Sequence, residues 1–449
     1  MYVGFDLGTT YFKVGLYNER GECLGMGRRA FVKDEDPEGR CTVPAERFME
    51  TVSAAFHDAL VQAGSTPEAI TGVSYCSQAN TFLLLDCHDK PLTPLIVWPD
   101  LRAAPLSDTL AALTGTDAFL NASGQGLMGA QWMPAKLEWF RRQEPELWRR
   151  TARVLTISDY FSLLLTGACI GDSGTASLTG LWDLQQNRWN QTMLDVLELE
   201  AHQLPDLHRP GALTIGTSKS GSARLGIPEG TPFTVGALDH HAAALGGGIG
   251  RWAPVSVSFG TSLVCFRFED GYRPARGSCL GPATDPGRFY RIAFNAPGAS
   301  AMDWYQRDHA PESSFEELLA LAERVPPGCE GLRAVSENGS IQFHPSREVA
   351  GHGHYVRAVM ELTGRNTAKL LSDLAAGEVA PTSRILAVGG AAKSDLWMRV
   401  VEETSGVGVS PARPADTAAR GAAMFAAVQT GLCGSIEACA IRWSRGEMS

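Results

Sequence analysis

The sequence predicts a mixed α/β protein built from two halves, and three observations predict it. Short apolar runs of strand character alternate with stretches of helical spacing along the chain. A strand, a Gly-Thr-hydroxyl tip and a second strand occur twice, in "VGFDLGTTYFKVGLY" and in "VSVSFGTSLVCF". A length of 449 residues suggests two to three domains and more than one core. We place the division at the glycine-rich segment near 240–250, giving an N-terminal half, 1–240, and a C-terminal half, 241–449.

The elements follow in order. Residues 2–6 and 12–18 read as paired strands around Gly8-Thr9-Thr10. "AERFMETVSAAFHDALVQAG" has helical spacing, "ITGVSYCSQ" and "TFLLLDCHDKPLTP" read as strands, and "MPAKLEWFRRQEPELWRR" reads as one helix. "ARVLTISDYFSLLLTG" is a strand followed by a helix. Near 230 the pattern restarts: "TPFTVGALD" is a strand ending in an acid, "HHAAALGGGIG" a helix of small residues, and "WAPVSVSFGTSLVCFRFEDG" the second hairpin. "AVMELTGRNTAKLLSDLAAG" is a helix, and "RILAVGGAAKSDLWMRVVEETSGVGVSPARP" a strand, a Gly-Gly turn, a helix from about Ser394 and another strand. "DTAARGAAMFAAVQTG" is an alanine-rich helix able to pack closely, and the tail after Gly431 carries no signal.

Composition narrows the function classes. Thirty-nine basic residues against 49 acidic give a net charge of −10, which argues against a nucleic-acid or anionic-membrane surface. No run of about 18 uninterrupted apolar residues exists, and no basic leader precedes the acid at position 6. A cytoplasmic protein is expected. The ten cysteines are scattered without a C-x-x-C pair, as in a protein of reduced, mostly buried thiols.

The two tips carry the chemistry. Glycine lets a ligand approach the backbone closely. Gathered N–H groups and hydroxyls bind anions, phosphate above all. Asp6, just before the first tip, suits Mg²⁺ held through water. An ordinary turn is the plain alternative for either tip alone. Neither G-x-x-x-x-G-K-[ST] nor a G-x-G-x-x-G opening a helix after a strand is present, so a nucleotide would be bound by hairpin tips. Asp239, at a strand end beginning a helix, suits a general base; helix capping is its alternative.

These segments carry a resemblance. "FDLGTTYFKVGLYNERGECLG" resembles the first phosphate motif of the ATPase superfamily of actin, hexokinase and the heat-shock chaperones, "VSFGTSLVCF" its second, and "ILAVGGAAKSDLWMRVVEETSG" its adenosine motif. "PLIVWPDLRA", "VGALDHHAAALGGG" and "PAKLEWFRRQEPELWRRTARVLTISDYFSLLLTG" are similar to segments of the FGGY carbohydrate kinases, the xylulokinase-like members above all. The resemblance covers about residues 1–430 in the family's order. It implies two RNase H-like domains of the actin-like ATPase kind with a cleft between them. It further implies ATP, Mg²⁺ and a sugar or polyol acceptor, most readily a ketopentose such as xylulose or ribulose.

Site roles follow from the same resemblance. Asp239 becomes the catalytic base and Asp6 the group that orients Mg²⁺. Gly8, Thr9, Thr10, Lys13, Gly260 and Thr261 meet phosphates, and Gly389, Gly390, Ala391 and Ser394 the adenosine. Gln78, Asn80, Trp98, Asp100, Arg102 and His240 bind the sugar, with Asp100 accepting from its hydroxyls and Arg102 donating. Two departures stand out. Ala79, Asn80 and Thr81 replace the Met, His and Gly of a xylulokinase segment, and the loop in "IQFHPSREVAGHGHYVRAVME" is short. They leave another ketose or polyol as the substrate, and a silent sugar sensor of the same fold, as alternatives. A chaperone-like ATPase is a third, and the family's common homodimer stays open. "GDSG" at 171–174 lacks a protease context, "HGH" at 352–354 reads as a polar turn, and "KDEDPEGR" as a solvated loop.

Overall fold

In the computed structural model the described residues are 1–337, 340–345, 351–375, 382–413 and 416–444. The chain forms two compact units. The first is Met1–Gly246 with Glu269–Tyr290 and Asp416–Ser449, and the second is Gly247–Phe268 with Arg291–Ala415. Among the described residues no helix is long and apolar enough to cross a membrane.

The first unit is organised by β1 (Tyr2–Leu7), β2 (Tyr11–Tyr17) and β3 (Cys23–Ala30), an antiparallel meander. Strand Gly72–Ser77 pairs parallel to β1, and Pro232–Leu238 parallel to Gly72–Ser77. Every residue of β1 is buried, which explains its unbroken apolar run around one acid. Helix α1 (Ala45–Ala63) shares one core with this sheet: Phe48, Val52 and Phe56 meet Phe5, Phe12 and Phe161. Helix Thr417–Gln429 lies so close to β1 that a Cβ on Gly4 would stand 1.8 Å from the Ala419 carbonyl oxygen. That approach explains the small residues of "DTAARGAAMFAA". It also carries the foot of the helix, Asp416, to the first tip.

In the second unit, strands Arg288–Pro297, Ser262–Asp270, Val255–Phe259, Arg384–Val388 and Gly408–Pro411 follow one another across the sheet. Read as third, second, first, fourth and fifth strand, this is the order of the first unit. Val255–Phe259 runs antiparallel to the second strand and parallel to the fourth. The doubled tip motif therefore reports a doubled topology, and the mixed α/β expectation holds.

Three local expectations change. The helix expected over "MPAKLEWFRRQEPELWRR" is two helices, Met133–Gln143 and Pro145–Arg150, because Pro145 restarts the chain after Glu144. His352-Gly353-His354 is not a polar turn but the first turn of helix His352–Ala375. There Tyr305 Oη and His352 Nδ1 lie 2.9 Å apart, and His354 pairs with Glu330. The tail forms helix Ile436–Ser444, and its Trp443 is buried and stacks on Tyr17 at 5.6 Å between ring centroids. The short-loop departure falls partly on 346–350, outside the described residues.

Candidate active site

Asp6 and Lys13 are cross-strand partners in β1 and β2. Lys13 Nζ stands 3.5 Å from Asp6 Oδ2 and 3.1 Å from Asp416 Oδ1. The Cys76 thiol donates to Asp6 Oδ1 at 3.7 Å. Burial pushes the Asp6 carboxyl up to about 6; Lys13 opposes that shift, and the charges of Asp239 and Asp416 add to it. Burial pulls on Lys13 in the opposite sense, but the two carboxylates overcome it and hold its ammonium above the ordinary value. Asp6, Lys13, Asp239 and Asp416 thus form one electrostatic group at the end of the first sheet.

Asp239 opens helix Asp239–Gly247 directly after the core strand Pro232–Leu238. Its side chain is 24% exposed, and its Oδ1 accepts the His240 backbone N–H at 2.7 Å. The His240 ring is similarly exposed, with Nε2 3.9 Å from that Oδ1. The adjacent His241 faces inward, against Tyr290 and Phe425, and burial drives its imidazole down to about 3.

A second cluster joins the first tip to the loop after strand Leu95–Ile96. Trp98 Nε1 donates to Thr9 Oγ1 at 3.0 Å, and Thr9 Oγ1 donates to Gln78 Oε1 at 3.3 Å. Thr81 Oγ1 donates to the same Gln78 oxygen at 2.9 Å and accepts the Trp98 backbone N–H at 3.1 Å. Gln78 Nε2 donates to the Gly8 carbonyl at 3.1 Å. Thr10, by contrast, is exposed at the tip.

Asp100 and Arg102 are placed differently from the sugar-facing roles expected of them. Asp100 is fully buried. Its Oδ2 accepts the Cys41 N–H at 2.7 Å, and Arg102 forks across both oxygens at 2.8 and 2.9 Å. Those hydrogen bonds, with the Arg102 pair, hold the carboxyl below the usual carboxylate range against the pull of burial. The Arg102 guanidinium lies over the Trp139 and Phe140 rings. Here the pair braces the loop that presents Trp98. Asn80 is a brace as well. It sits at φ 62°, where Asn is tolerated, and its amide joins the Leu178 carbonyl to the Met133 N–H.

The second unit gathers its own motif. Gly389 has φ 96°, and a Cβ there would stand 2.9 Å from the Phe259 carbonyl, beside the second tip. Gly260 and Thr261 are held by residues 298–300, whose Ala299 N–H and Ser300 hydroxyl donate to the two tip carbonyls at 2.6 Å each. Gly390 faces open space, Ala391 is buried in the core, and Ser394 caps helix Asp395–Ser405 by accepting the Trp397 N–H.

Sequence reasoning missed two residues here. Asp416 looks like the last loop residue before a helix, yet it stands at φ 54° against Lys13. Lys136 looks like the polar face of a helix, yet it is fully buried and its Nζ donates to the Val97 and Trp98 carbonyls at 3.1 and 2.8 Å. Burial pulls its ammonium down to about 7, with Asp100 opposing. An acid at the N-cap position of an alanine-rich helix and a lysine between apolar positions were the available signals, and both are weak. Among the described residues no three His, Cys, Asp or Glu side chains gather as a metal cage. Asp6 is the carboxylate here that could meet a hard cation, through water as Mg²⁺ prefers.

With this geometry in view, the comparisons are specific. Residues 1–246 match the N-terminal domain and residues 255–430 the C-terminal domain of the FGGY family of carbohydrate kinases. The chain belongs to that family and is a carbohydrate kinase. It is 26% identical to a xylulose kinase of Bacillus subtilis, over 99% of this chain and 91% of that one. It is 25% identical to an autoinducer-2 kinase of Escherichia coli, over 99% and 89%. Its fold matches that of a ligand-bound xylulose kinase from Lactobacillus acidophilus with a TM-score of 0.86 at 21% identity, covering 98% of this chain and 91% of that one.

Proposed function

We propose that this carbohydrate kinase transfers the terminal phosphoryl group of ATP to a hydroxyl of a small ketose, with a ketopentose such as xylulose or ribulose first in line. The observation that carries this reading is the grouping of Asp239 with Asp6 and Lys13 beside the Gly8-Thr9-Thr10 tip. Asp239 is 24% exposed, its Oδ1 accepts the His240 N–H, and it follows a buried core strand. It orients the acceptor hydroxyl and takes its proton. Asp6 would hold Mg²⁺, and the ion would supply positive charge against the phosphates. Thr10 and Lys13 donate to phosphate oxygens, and the Gly389-Gly390 segment leaves room for the adenosine.

Gln78, Trp98 and His240 face the sugar in this reading, while Asp100, Arg102 and Asn80 shape the loop that holds them. Asn80 uses both ends of its amide on backbone groups. That occupies the position where xylulokinases carry His, and it keeps another ketose or a polyol as the alternative substrate. The test is ADP release from Mg-ATP across ketoses, aldoses and polyols. Strong dependence on one sugar supports the kinase reading and names the substrate. Turnover that ignores every sugar overturns it.

A further inference from the structure

The Thr9 hydroxyl has one proton, and the structure places it on Gln78 Oε1. In the same position the hydroxyl oxygen accepts the Trp98 indole N–H. Thr81 closes the circuit, giving its proton to Gln78 Oε1 and accepting the Trp98 backbone N–H. The circuit is anchored at both ends: Gln78 Nε2 holds the Gly8 carbonyl, and Lys136 holds the Trp98 carbonyl. Gln78 is 3% exposed, so its amide has little water to turn to. A hydroxyl rotor moves its proton at little cost, whereas the anchored amide and indole stay in place.

We propose that this rotor couples the two substrates: Thr9 gives its proton to Gln78 in the empty enzyme and to a phosphate oxygen in the loaded one. The inference rests on the reading that the first tip meets phosphate and that Gln78 meets sugar. When a sugar hydroxyl donates to Gln78 Oε1, it takes the place of Thr9, whose proton turns to the phosphate. When phosphate draws the Thr9 proton first, Gln78 Oε1 is left with an acceptor site for the sugar. Each ligand thereby removes the competitor of the other, and the effect is reciprocal. Trp98 is a positioning residue: its indole N–H fixes the Thr9 oxygen while the proton turns. The exchange of one hydrogen bond corresponds to about a fivefold change in affinity.

The experiment is calorimetric titration of Mg-AMP-PNP into the full-length protein, with and without saturating D-xylulose. D-ribulose and the other members of the kinase panel replace D-xylulose if they support faster turnover. In the wild type the sugar tightens the nucleotide about fivefold. Thr9→Val abolishes that tightening, Thr9→Ser restores it, and Trp98→Phe reduces it while sugar-free nucleotide affinity changes less. The inference is overturned if turnover with a sugar is clear but the wild type shows no tightening, or if Thr9→Val keeps it. No turnover with any panel sugar overturns the kinase reading and this inference with it, and the turnover assay tells that failure apart from the others.

Discussion

Lys13 on the second strand and Asp416 at the foot of a C-terminal helix stand 3.1 Å apart, although nearly the whole chain separates them. Asp6 completes the pair as a bridge, 3.5 Å from the same Nζ. One ammonium therefore serves two carboxylates, one of them buried. The close-packed helix Thr417–Gln429 makes this contact possible, because its small residues let it settle on β1.

Removing the charge at position 416 frees Lys13 to collapse onto Asp6. Asp416→Asn raises the KM for ATP about fivefold, the worth of a half-exposed pair of about 1 kcal/mol, and leaves the KM for sugar close to wild type. In a Lys13→Met background the same substitution has no further effect on the ATP KM. Initial-rate kinetics on the four proteins check this, and additive effects would show that Asp416 acts without Lys13.

Two acids in the first unit set a pH dependence of stability. Burial pushes the Asp159 and Asp172 carboxyls up to about 7 each, against hydrogen bonds from Thr156 and Thr175. The folded chain thus keeps protons that the unfolded chain releases above about pH 4. Their stabilising contribution is full below that value and is lost as pH rises through about 7. Asp172→Asn keeps an acceptor for the Thr175 N–H but cannot ionise. It gains on the order of 2 kcal/mol over wild type between pH 5 and pH 8. Urea unfolding at the two pH values measures this, and parallel pH profiles would count against it.

Lys136 is the anchor of the Trp98 loop. Lys136→Met keeps the length of the side chain but removes the donor to two carbonyls, of which Val97 still accepts the Asp100 N–H, at a cost of about 2 kcal/mol. Because one of those carbonyls belongs to Trp98, the KM for sugar rises as well. Unfolding midpoints and kinetics together check the point. A loss of stability with an unchanged sugar KM would make Lys136 a core residue only.

Much of this architecture was legible because local chemistry and position coincide. The two Gly-Thr tips read correctly as hairpin ends, since apolar strands on both sides of a tight turn have few other solutions. The C-terminal tail was opaque. Ile436, Cys439 and Trp443 show helical spacing only once their buried face is known. The burial of Asp100 and Lys136 was not legible, for a shared reason. The sequence gives the type of a polar residue but not whether its partners lie in solvent or in the loop beneath it. Asp416 was invisible because its partner is supplied by the other end of the chain.

In the proposed reaction Asp239 takes the proton of a sugar hydroxyl. Sugar-dependent ADP formation by wild type and Asp239→Ala, each paired with Mg-AMP-PNP affinity by calorimetry, tests it most directly. Asp239→Ala is expected to lose at least about 10²-fold in kcat while nucleotide affinity stays close to wild type. Equal turnover in the two proteins would contradict it.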